Sequence, residues 1–486
     1  MNTPIRRLSI LIALLFTTLL VASTVVQFAQ ARSLGAMASN KRTLLDSYSR
    51  ERGAIIVGGQ AVAKSVPVQD QYRYLRTYPQ GELYSHLTGF YSYSVGAPYG
   101  LEHAADDLLS GDADQLFVRR VTDLITGRKT SGATIELTID PKAQKAADQA
   151  LGRSRGAVVA LDPKTGAILA MVSHPAYDPN GLASHDLGKA AKAWQTLSTD
   201  KNKAYLNRAL SGIYPPGSTF KVVTAAAALE NGVVSNENSV VPGPAKLDLP
   251  LTPTDLPNEN HLPCGPNDKT TLIHALEISC NTTFGSLGLE LGGEKLRAQA
   301  AKFGFGDSLQ VPMRVATSSV PADLNEPQSA QAAIGQYDVR TTPLQMAMVA
   351  AGVANKGSVM TPYLIQSVRS ANLDIIESAP DPVELSQAVS EQTASTLTKM
   401  MVSVVDNGSG ARARIPGVQV AGKTGTAQHD PGKPPHAWFI SFAPATDPKV
   451  AVAVVVEDGG VTGSEIGGGR VAAPIARAVM EAVLNQ

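Results

Sequence analysis

Hydrophobic residues form apolar runs near both ends of the chain, with alanine-rich helical segments between them. The longest run extends from Leu8 to Phe28, is interrupted only by Ser, Thr and Gln, and is long enough to cross a bilayer as a helix. Strands are predicted at 157–161, 167–172, 418–421, 437–442 and 450–456, and helices at 218–230, 271–291, 342–354 and 472–484. Strands at both ends of this region predict one sheet, packed against a helical cluster.

Between the first apolar run and residue 151, the pattern changes to short β and helical pieces. Residues 54–57 followed by Gly58 and Gly59 predict a strand and a hairpin turn. A second strand is predicted at 135–139, and Pro141 begins an alanine-rich helix. Because no set of catalytic residues occurs there, we expect residues 33–151 to form a small α+β spacer domain below a larger domain at 152–486.

Arg6 and Arg7 precede the apolar run. Positive residues before a membrane span keep that end in the cytoplasm, so residues 1–7 are expected inside the cell, 8–28 in the membrane and the rest outside. A cleaved signal peptide is the alternative, because residues 29–31, Ala-Gln-Ala, are similar to a cleavage site. The length of the apolar run favours an uncleaved single-pass anchor.

Composition narrows the class of function. The chain has 486 residues with 42 Lys plus Arg and 42 Asp plus Glu, so no net charge attracts nucleic acid. No Cys/His cluster has metal-ligand spacing, and His429 and His436 are expected to be solvated; neither a metal nor a cofactor is predicted. Cys264 and Cys280 lie on the expected outer side, where disulfides persist, so we predict that they are paired; two buried free thiols are the alternative.

Ser218 and Lys221 carry the first chemical signal. They lie one helical turn apart, after a Pro-Pro-Gly break at 215–217 and before a small, apolar helix. A lysine in that position can take the serine's proton, and the start of a helix favours developing negative charge. A second Ser-x-x-Lys copy at Ser198 and Lys201 lies in a polar stretch and is interpreted as solvated surface.

Two later motifs complete a candidate site. Ser279 and Asn281 are expected on a short turn after the helical residues 272–278. They offer a hydroxyl that can relay a proton and a carboxamide that can hold a lysine or a substrate amide. Residues 423–426, Lys-Thr-Gly-Thr, end a predicted strand, and the glycine there is expected to let a substrate backbone approach closely and add to the sheet edge. Each motif has a second copy, at 370–372 and at 164–166, and both are interpreted as turns or polar connections.

In this order, the three motifs resemble those of the penicillin-binding proteins and serine β-lactamases. Residues 155–180, 335–336 and 342–347 are similar to other parts of a penicillin-binding transpeptidase domain, and residues 52–55 and 100–102 to the pedestal of the class B members. The short pedestal and the cysteine pair are most similar to the actinobacterial penicillin-binding protein A group. The pedestal departs from the usual pattern after Ile55, which affects partner contacts rather than chemistry.

The resemblance implies an antiparallel sheet flanked by helices, with an all-helical subdomain. It implies that Ser218 attacks a peptidoglycan stem peptide, with Lys221 as base and Ser279 as proton relay. Asn281 would bind the peptide amide and Lys423 would assist Lys221; Lys423, Thr424 and Thr426 would bind the substrate carboxylate beside Gly425. β-Lactams would acylate Ser218 in the same way.

The resemblance also implies a protein partner, and other functions have to be weighed against transpeptidation. Glycan polymerisation would come from a separate membrane glycosyltransferase within the cell-wall machinery that serves division or cell shape. A carboxypeptidase or β-lactamase is disfavoured because no carboxylate motif for a deacylating water is present. A β-lactam sensor would need a cytoplasmic output domain, and a non-catalytic scaffold would not need all three motifs.

Overall fold

The computed structural model describes residues 2–30, 34, 45, 48–116, 131–370, 372, 374–430, 432–460 and 467–485. An α-helix at Asn2–Thr24 continues as a π-helix at Val25–Ala29. Within the described residues, Thr3–Ala29 is the helix long and apolar enough to cross a membrane, and none of it is buried against the protein. The predicted apolar helix is therefore confirmed and is consistent with a membrane anchor. Ala31 of the possible cleavage site and Ala371 of the second Ser-x-Asn copy lie outside the described residues.

A six-stranded mixed sheet forms the centre of the N-terminal part that follows the apolar helix, described at residues 48–116 and 131–137. The predicted hairpin at Gly58 and Gly59 is present, and the strand before it also pairs in parallel with the strand at 134–137. In sheet order, the strands are Ile375–Ser378, Ile365–Arg369, Thr134–Leu137, Ile55–Val57, Gln60–Pro67 and Tyr74–Thr77. Two strands of this sheet therefore come from residues 365–378, within the range 152–486 that the sequence assigns to the larger domain.

The second sheet is antiparallel throughout and joins both ends of the larger domain, as predicted. In sheet order, its strands are Ala421–Ala427, His436–Ala443, Val450–Val456, Gly156–Leu161 and Ile168–His174. One face packs on the helices at 141–151 and 473–484 through small and branched apolar side chains. The other face packs on the helical cluster. The helix at 141–151 thus contributes to the core of the larger domain, although the sequence placed it in the spacer.

Short apolar helices fill the region between the sheet ends. Asp140 caps the helix at 141–151 by accepting from the backbone of Ala143, and Thr342 caps the one at 343–354 in the same way. The remaining α-helices are Gly81–Thr88, Gly100–Ala104, Asp106–Ser110, Leu187–Ser198, Arg208–Ser211, Lys221–Glu230, Leu272–Glu277, Asn281–Lys302, Glu326–Ala333, Glu391–Asp406 and Ala473–Leu484. Small two-stranded sheets pair Val240–Pro242 with Lys269–Thr271, Lys246–Asp248 with Asp255–Pro257, and Ser358–Met360 with Glu384–Gln387.

Two predicted elements need correction. The helix expected at 271–291 is wrong as a single element, because it ends at Glu277 and a second helix begins at Asn281. Ser279 lies in this break with φ of 62°, a left-handed conformation that interrupts the right-handed helix. The strand expected from Val418 begins only at Ala421, because Val418 donates its N–H to Ile415 within a turn.

Candidate active site

The turn that carries Ser218, the predicted nucleophile, spans residues 214–220 and is called the nucleophile turn below. It lies against the edge strand at 421–427. Ser218 lies in a 3₁₀ turn, Gly217–Phe220, that leads directly into the α-helix at Lys221. A Cβ on Gly217 would lie 2.5 Å from the carbonyl oxygen of Thr426, and a Cβ on Gly425 would lie 2.9 Å from Cγ2 of Thr219. Glycine at both positions therefore lets two backbones meet. The sequence predicted that Gly425 admits a substrate backbone, whereas in the structure the backbone packed against it is that of the nucleophile turn.

Two buried lysines converge on one hydroxyl. Lys221 Nζ donates to Ser279 Oγ at 3.2 Å and to Asn281 Oδ1 at 2.7 Å. Lys423 Nζ donates to the same Ser279 Oγ at 3.0 Å and to the carbonyl oxygen of Thr424 at 2.9 Å. Both lysines are fully buried. All three sequence motifs thus meet, with Ser279 between the two amines.

The break between the helices at 272–277 and 281–302 directs the side chain of Ser279 toward the two amines. The carbonyl oxygen of Ser279 also accepts a hydrogen bond from Lys221 Nζ at 2.7 Å, which a continuous helix would not allow. A disulfide joins Cys264 to Cys280, the residue between Ser279 and Asn281. Asn258 Oδ1 accepts the N–H of Thr282 at 3.0 Å. The turn is therefore tied on both sides to the loop at 258–264.

An open cleft of about 490 Å³ lies above these groups. Of the predicted site residues, Ser218, Asn281 and Thr426 line it. The hydroxyl oxygen of Thr426 is buried and has no hydrogen-bond partner among the described residues, so it is available to a bound molecule. Thr424 is fully buried and its hydroxyl bonds to that of Ser409 at 2.7 Å.

Some cleft residues were not predicted as site residues. Three glutamines, Gln331, Gln336 and Gln428, line the cleft and offer amides to a peptide. Gln331 and Gln336 lie five positions apart, at the end of the helix at 326–333 and just after it, whereas Gln428 follows the edge strand, and the fold brings these two segments together. The duplicate motifs remain apart: Ser198 is exposed, Lys164 forms an exposed ion pair with Asp447, and Ser370 accepts from the backbone of Asp374.

A hydrogen-bond network behind the nucleophile turn was also not predicted from the sequence. Glu457 Oε1 accepts from Tyr214 Oη and from Arg208 Nε, each at 2.7 Å, and Trp438 Nε1 donates to the carbonyl of Pro215 at 3.0 Å. Burial acts to raise the pKa of Glu457, but the hydrogen bond from Tyr214 and the charge of Arg208 outweigh it and lower the pKa. The chain entering Ser218 is therefore held by an ionised carboxylate at the end of the strand at 450–456.

His429 and His436 lie beside the same cleft. His436 is buried, and burial together with the charge of His429 lowers the pKa of His436 to about 4. The expectation that both histidines are solvated is therefore wrong for His436. The antiparallel register places Ala437 opposite Val456, which brings the histidine at the start of one strand near the residues that follow the other.

Comparison with known proteins places this geometry in a family. Residues 156–481 match the penicillin binding protein transpeptidase domain, and residues 52–135 match the penicillin binding protein A dimerisation domain. The chain is 46% identical over 495 residues to the peptidoglycan D,D-transpeptidase PbpA of Mycolicibacterium smegmatis, with all of both chains covered. It is 44% identical over 494 residues to PbpA of Mycobacterium tuberculosis, covering 100% of this chain and 99% of that protein.

Solved structures show the same relationship. The chain is similar to penicillin-binding protein A from Mycobacterium tuberculosis in its ceftriaxone acyl-enzyme complex, with a TM-score of 0.86, 43% identity, and 90% of this chain and 100% of that chain covered. The imipenem acyl-enzyme complex of the same protein gives a TM-score of 0.85 with the same coverage. The chain therefore belongs to the class B penicillin-binding protein transpeptidases.

Proposed function

We propose that this chain is a peptidoglycan D,D-transpeptidase that cross-links stem peptides through an acyl-enzyme on Ser218. The observation that carries this proposal is the convergence of Lys221 and Lys423 on Ser279, beneath a cleft that Ser218 lines. An activated hydroxyl, a proton relay and an open cleft are the parts that acyl transfer needs. The relatives named as peptidoglycan D,D-transpeptidases span the whole chain and support the substrate class.

Lys221 is the proposed base. It follows Ser218 by one turn, and its full burial favours the neutral amine that can accept a proton. The carbonyl of Ser279 and the carboxamide of Asn281 fix the position of Nζ. Ser218 Oγ would attack the carbonyl of the penultimate D-alanine while its proton passes to Lys221.

Ser279 is the proposed relay. Its hydroxyl contacts both amines, so it can receive the proton from Lys221 and deliver it to the nitrogen of the departing D-alanine. Lys423 would hold that hydroxyl in place and, by charge repulsion, favour the neutral form of Lys221.

The edge strand would bind the rest of the substrate. The backbone N–H groups of Ser218 and Thr426 are the proposed donors to the oxyanion, as fixed dipoles aimed at the developing charge. The hydroxyl of Thr426, which has no hydrogen-bond partner among the described residues, would donate to the substrate carboxylate, with Lys423 and Thr424 behind it and Gly425 keeping the strand close. Asn281 would also contact the peptide amide.

An amine from a neighbouring stem peptide would then attack the acyl-enzyme and form the cross-link. β-Lactams would acylate Ser218 because their strained amide occupies the place of the scissile bond. The ceftriaxone and imipenem acyl-enzyme complexes of the Mycobacterium tuberculosis protein support this reaction.

The apolar helix at 3–29 supports anchoring, and Arg6 and Arg7 favour a cytoplasmic N-terminus with the catalytic domain outside. The part matching the dimerisation domain would act as the pedestal. Glycan polymerisation would be supplied by a membrane glycosyltransferase partner, within the machinery of division or cell shape.

Labelling with a fluorescent penicillin tests the proposal. We expect covalent labelling of the wild-type protein and none of Ser218→Ala, with Ser198→Ala labelled like the wild type. Labelling of Ser218→Ala would refute the assignment of the nucleophile. Rapid nitrocefin turnover by the wild type would indicate a hydrolase instead, and full rescue of a deletion strain by Ser218→Ala would indicate a scaffold.

A further inference from the structure

The segment at 335–341 is attached at both ends to the nucleophile turn. At one end, Gly217 donates its backbone N–H to the carbonyl oxygen of Gly335 at 2.9 Å, and a Cβ on Gly335 would lie 2.1 Å from the carbonyl oxygen of Gly217. At the other end, the backbones of Tyr214 and Thr341 exchange two hydrogen bonds, of 3.0 and 2.8 Å. The position of this segment is therefore fixed relative to the nucleophile.

Tyr337 has an unusual backbone conformation within this segment. Its φ is 59°, in the left-handed region that favours glycine and that a tyrosine rarely adopts. Arg340 holds the backbone there, because its Nη1 donates to the carbonyl oxygen of Tyr337 and its Nη2 to a carboxylate oxygen of Asp338, each at 3.1 Å. Strained residues that surrounding contacts hold in place are concentrated at ligand sites. Glycine would relieve the strain, so the side chain of Tyr337 is expected to have a function.

The side chain of Tyr337 is available to a molecule in the cleft. Tyr337 lines the cleft together with Ser218, and 39% of it is exposed although it is large and aromatic. Among the described residues, its hydroxyl has no hydrogen-bond partner and its ring contacts no other aromatic ring. An aromatic ring in this situation offers a large apolar surface to a bound side chain.

The position of Tyr337 indicates which part of the substrate it would meet. In the proposed function, the carboxylate end of the stem peptide lies at residues 423–426, and Ser218 attacks the next carbonyl. The peptide beyond that carbonyl then extends past the end of the edge strand, where Gln428 and Tyr337 line the same cleft. The first side chain in that direction belongs to the residue that precedes the two D-alanines.

We propose that Tyr337 determines specificity for the acyl donor by packing its ring against the side chain of the residue that precedes the two D-alanines. The acylamino side chain of a penicillin takes the same place. This inference rests on the proposed acyl transfer at Ser218, and Tyr337 takes no part in proton transfer. Because the segment at 335–341 fixes the ring relative to Ser218, a side chain that fits between them is held with its carbonyl at the nucleophile, which speeds acylation.

Acylation of the full-length protein in detergent by two penicillins tests this proposal. Benzylpenicillin has a phenyl group on its side chain, whereas 6-acetamidopenicillanic acid has the same ring system and amide without the phenyl group. Competition with a fluorescent penicillin measures both second-order acylation rate constants. We expect the ratio of the benzylpenicillin rate to the acetamido rate to fall by about 2–10-fold in Tyr337→Ala, the size of one aromatic contact, and to stay near the wild-type value in Tyr337→Phe.

Tyr337→Gly tests the strain in the backbone. Both Tyr337→Ala and Tyr337→Gly remove the ring, but glycine adopts a positive φ without strain, so Tyr337→Gly should have the higher Tm and the same lowered ratio. Lys356→Gly is the matched control. Lys356 also has a positive φ, of 56°, and its exposed side chain pairs with Glu391 at 3.7 Å. Its ratio of rates should equal that of the wild type.

Several results would overturn the proposal. These are an unchanged ratio in Tyr337→Ala, an equal fall of both rates, a ratio in Tyr337→Phe as low as that in Tyr337→Ala, or an equally lowered ratio in Lys356→Gly. A lower Tm in Tyr337→Gly than in Tyr337→Ala would contradict it as well. If Tyr337→Ala does not fold, the ratio in Tyr337→Gly decides the result. Absence of acylation in the wild type would instead refute the proposed function, so the two failures are distinguishable.

Discussion

Lys221 and Lys423 donate hydrogen bonds to the same atom, Oγ of Ser279, over 3.2 and 3.0 Å. The two amines come from the nucleophile helix and from the edge strand, which lie about 200 positions apart in the sequence. The helical cluster and the sheet thus meet at one hydroxyl, that of Ser279, the proposed proton relay.

Replacement of Ser279 by alanine removes the hydroxyl that both lysines contact. We expect the rate of acylation by a β-lactam to fall by about 10²–10⁴-fold, the usual effect of losing a proton-transfer group. Stopped-flow or time-resolved penicillin labelling measures that rate. Ser370→Ala is the control, since Ser370 bonds to Asp374 within a turn far along the chain, and its acylation rate should equal that of the wild type. An unchanged rate in Ser279→Ala would exclude the relay.

Replacement of Gly425 by alanine tests the contact between the nucleophile turn and the edge strand. Its Cβ would lie 2.9 Å from Cγ2 of Thr219 and 3.1 Å from the carbonyl of Pro216, so the turn that carries Ser218 must shift. We expect a loss of about 1–3 kcal/mol in the free energy of unfolding, the usual cost of overpacking, together with slower acylation.

Gly181→Ala is the matched control for Gly425→Ala, because its Cβ would meet only an ordinary contact, 3.5 Å from the methyl of Ala193. Denaturant unfolding and penicillin labelling would be measured on both variants. Equal stability and equal labelling in the two would show that the strand and the turn are not in contact as described.

Tyr214→Phe removes the hydrogen bond that ties the nucleophile turn to Glu457. A hydrogen bond to a charged group contributes about 1.5–3 kcal/mol, so we expect a measurable loss of stability and slower acylation with little change in β-lactam affinity. Measurement of the acylation rate against β-lactam concentration separates the two quantities. Tyr74→Phe is the control, because no side-chain hydrogen bond of Tyr74 is among the described contacts, and an equal effect in both variants would argue against the positioning role.

The sequence predicted the central sheet and the three motifs because each has a local signal. Apolar runs of four to eight residues mark its strands, and the break at 215–217 marks the start of the nucleophile helix. The left-handed conformation of Ser279 could not be predicted, because it depends on Lys221, 58 positions away. A short turn at 279–281 was expected, although the helix predicted at 271–291 ran through the same residues.

Contacts that depend on strand pairing and register also could not be predicted from the sequence. The strand at 365–369 joins the six-stranded sheet by pairing with the strand at 134–137. The residues at 365–369 alone do not indicate which strand they pair with. Likewise, His436 and Asp458 become neighbours only because the strands at 436–443 and 450–456 pair with Ala437 opposite Val456. Periodicity identifies a strand but does not specify its partner or register.

The stability of the protein should depend on pH through His86, which lies where the N-terminal part contacts the larger domain. It is buried on the helix at 81–88, and its Nε2 bonds to the carbonyl of Ala204 at 2.7 Å. Burial lowers its pKa from 6.5 to about 4, although the bond to Ala204 acts in the opposite direction. In the folded protein the ring therefore stays neutral at a pH where the unfolded chain has already taken up a proton.

The sign of the effect follows from proton uptake. Between pH 6.5 and 4 the unfolded state binds more protons at His86 than the folded state, so stability falls as the pH is lowered and is fully present above pH 6.5. A shift of this size corresponds to about 3 kcal/mol at 1.36 kcal/mol per pKa unit. The variant His86→Gln keeps an N–H donor for Ala204 but cannot titrate. We expect the difference in unfolding free energy between wild type and variant to move against the wild type by about that amount between pH 7 and pH 4, as measured by urea unfolding. A difference that stays constant over this range would show that His86 is not held neutral by burial.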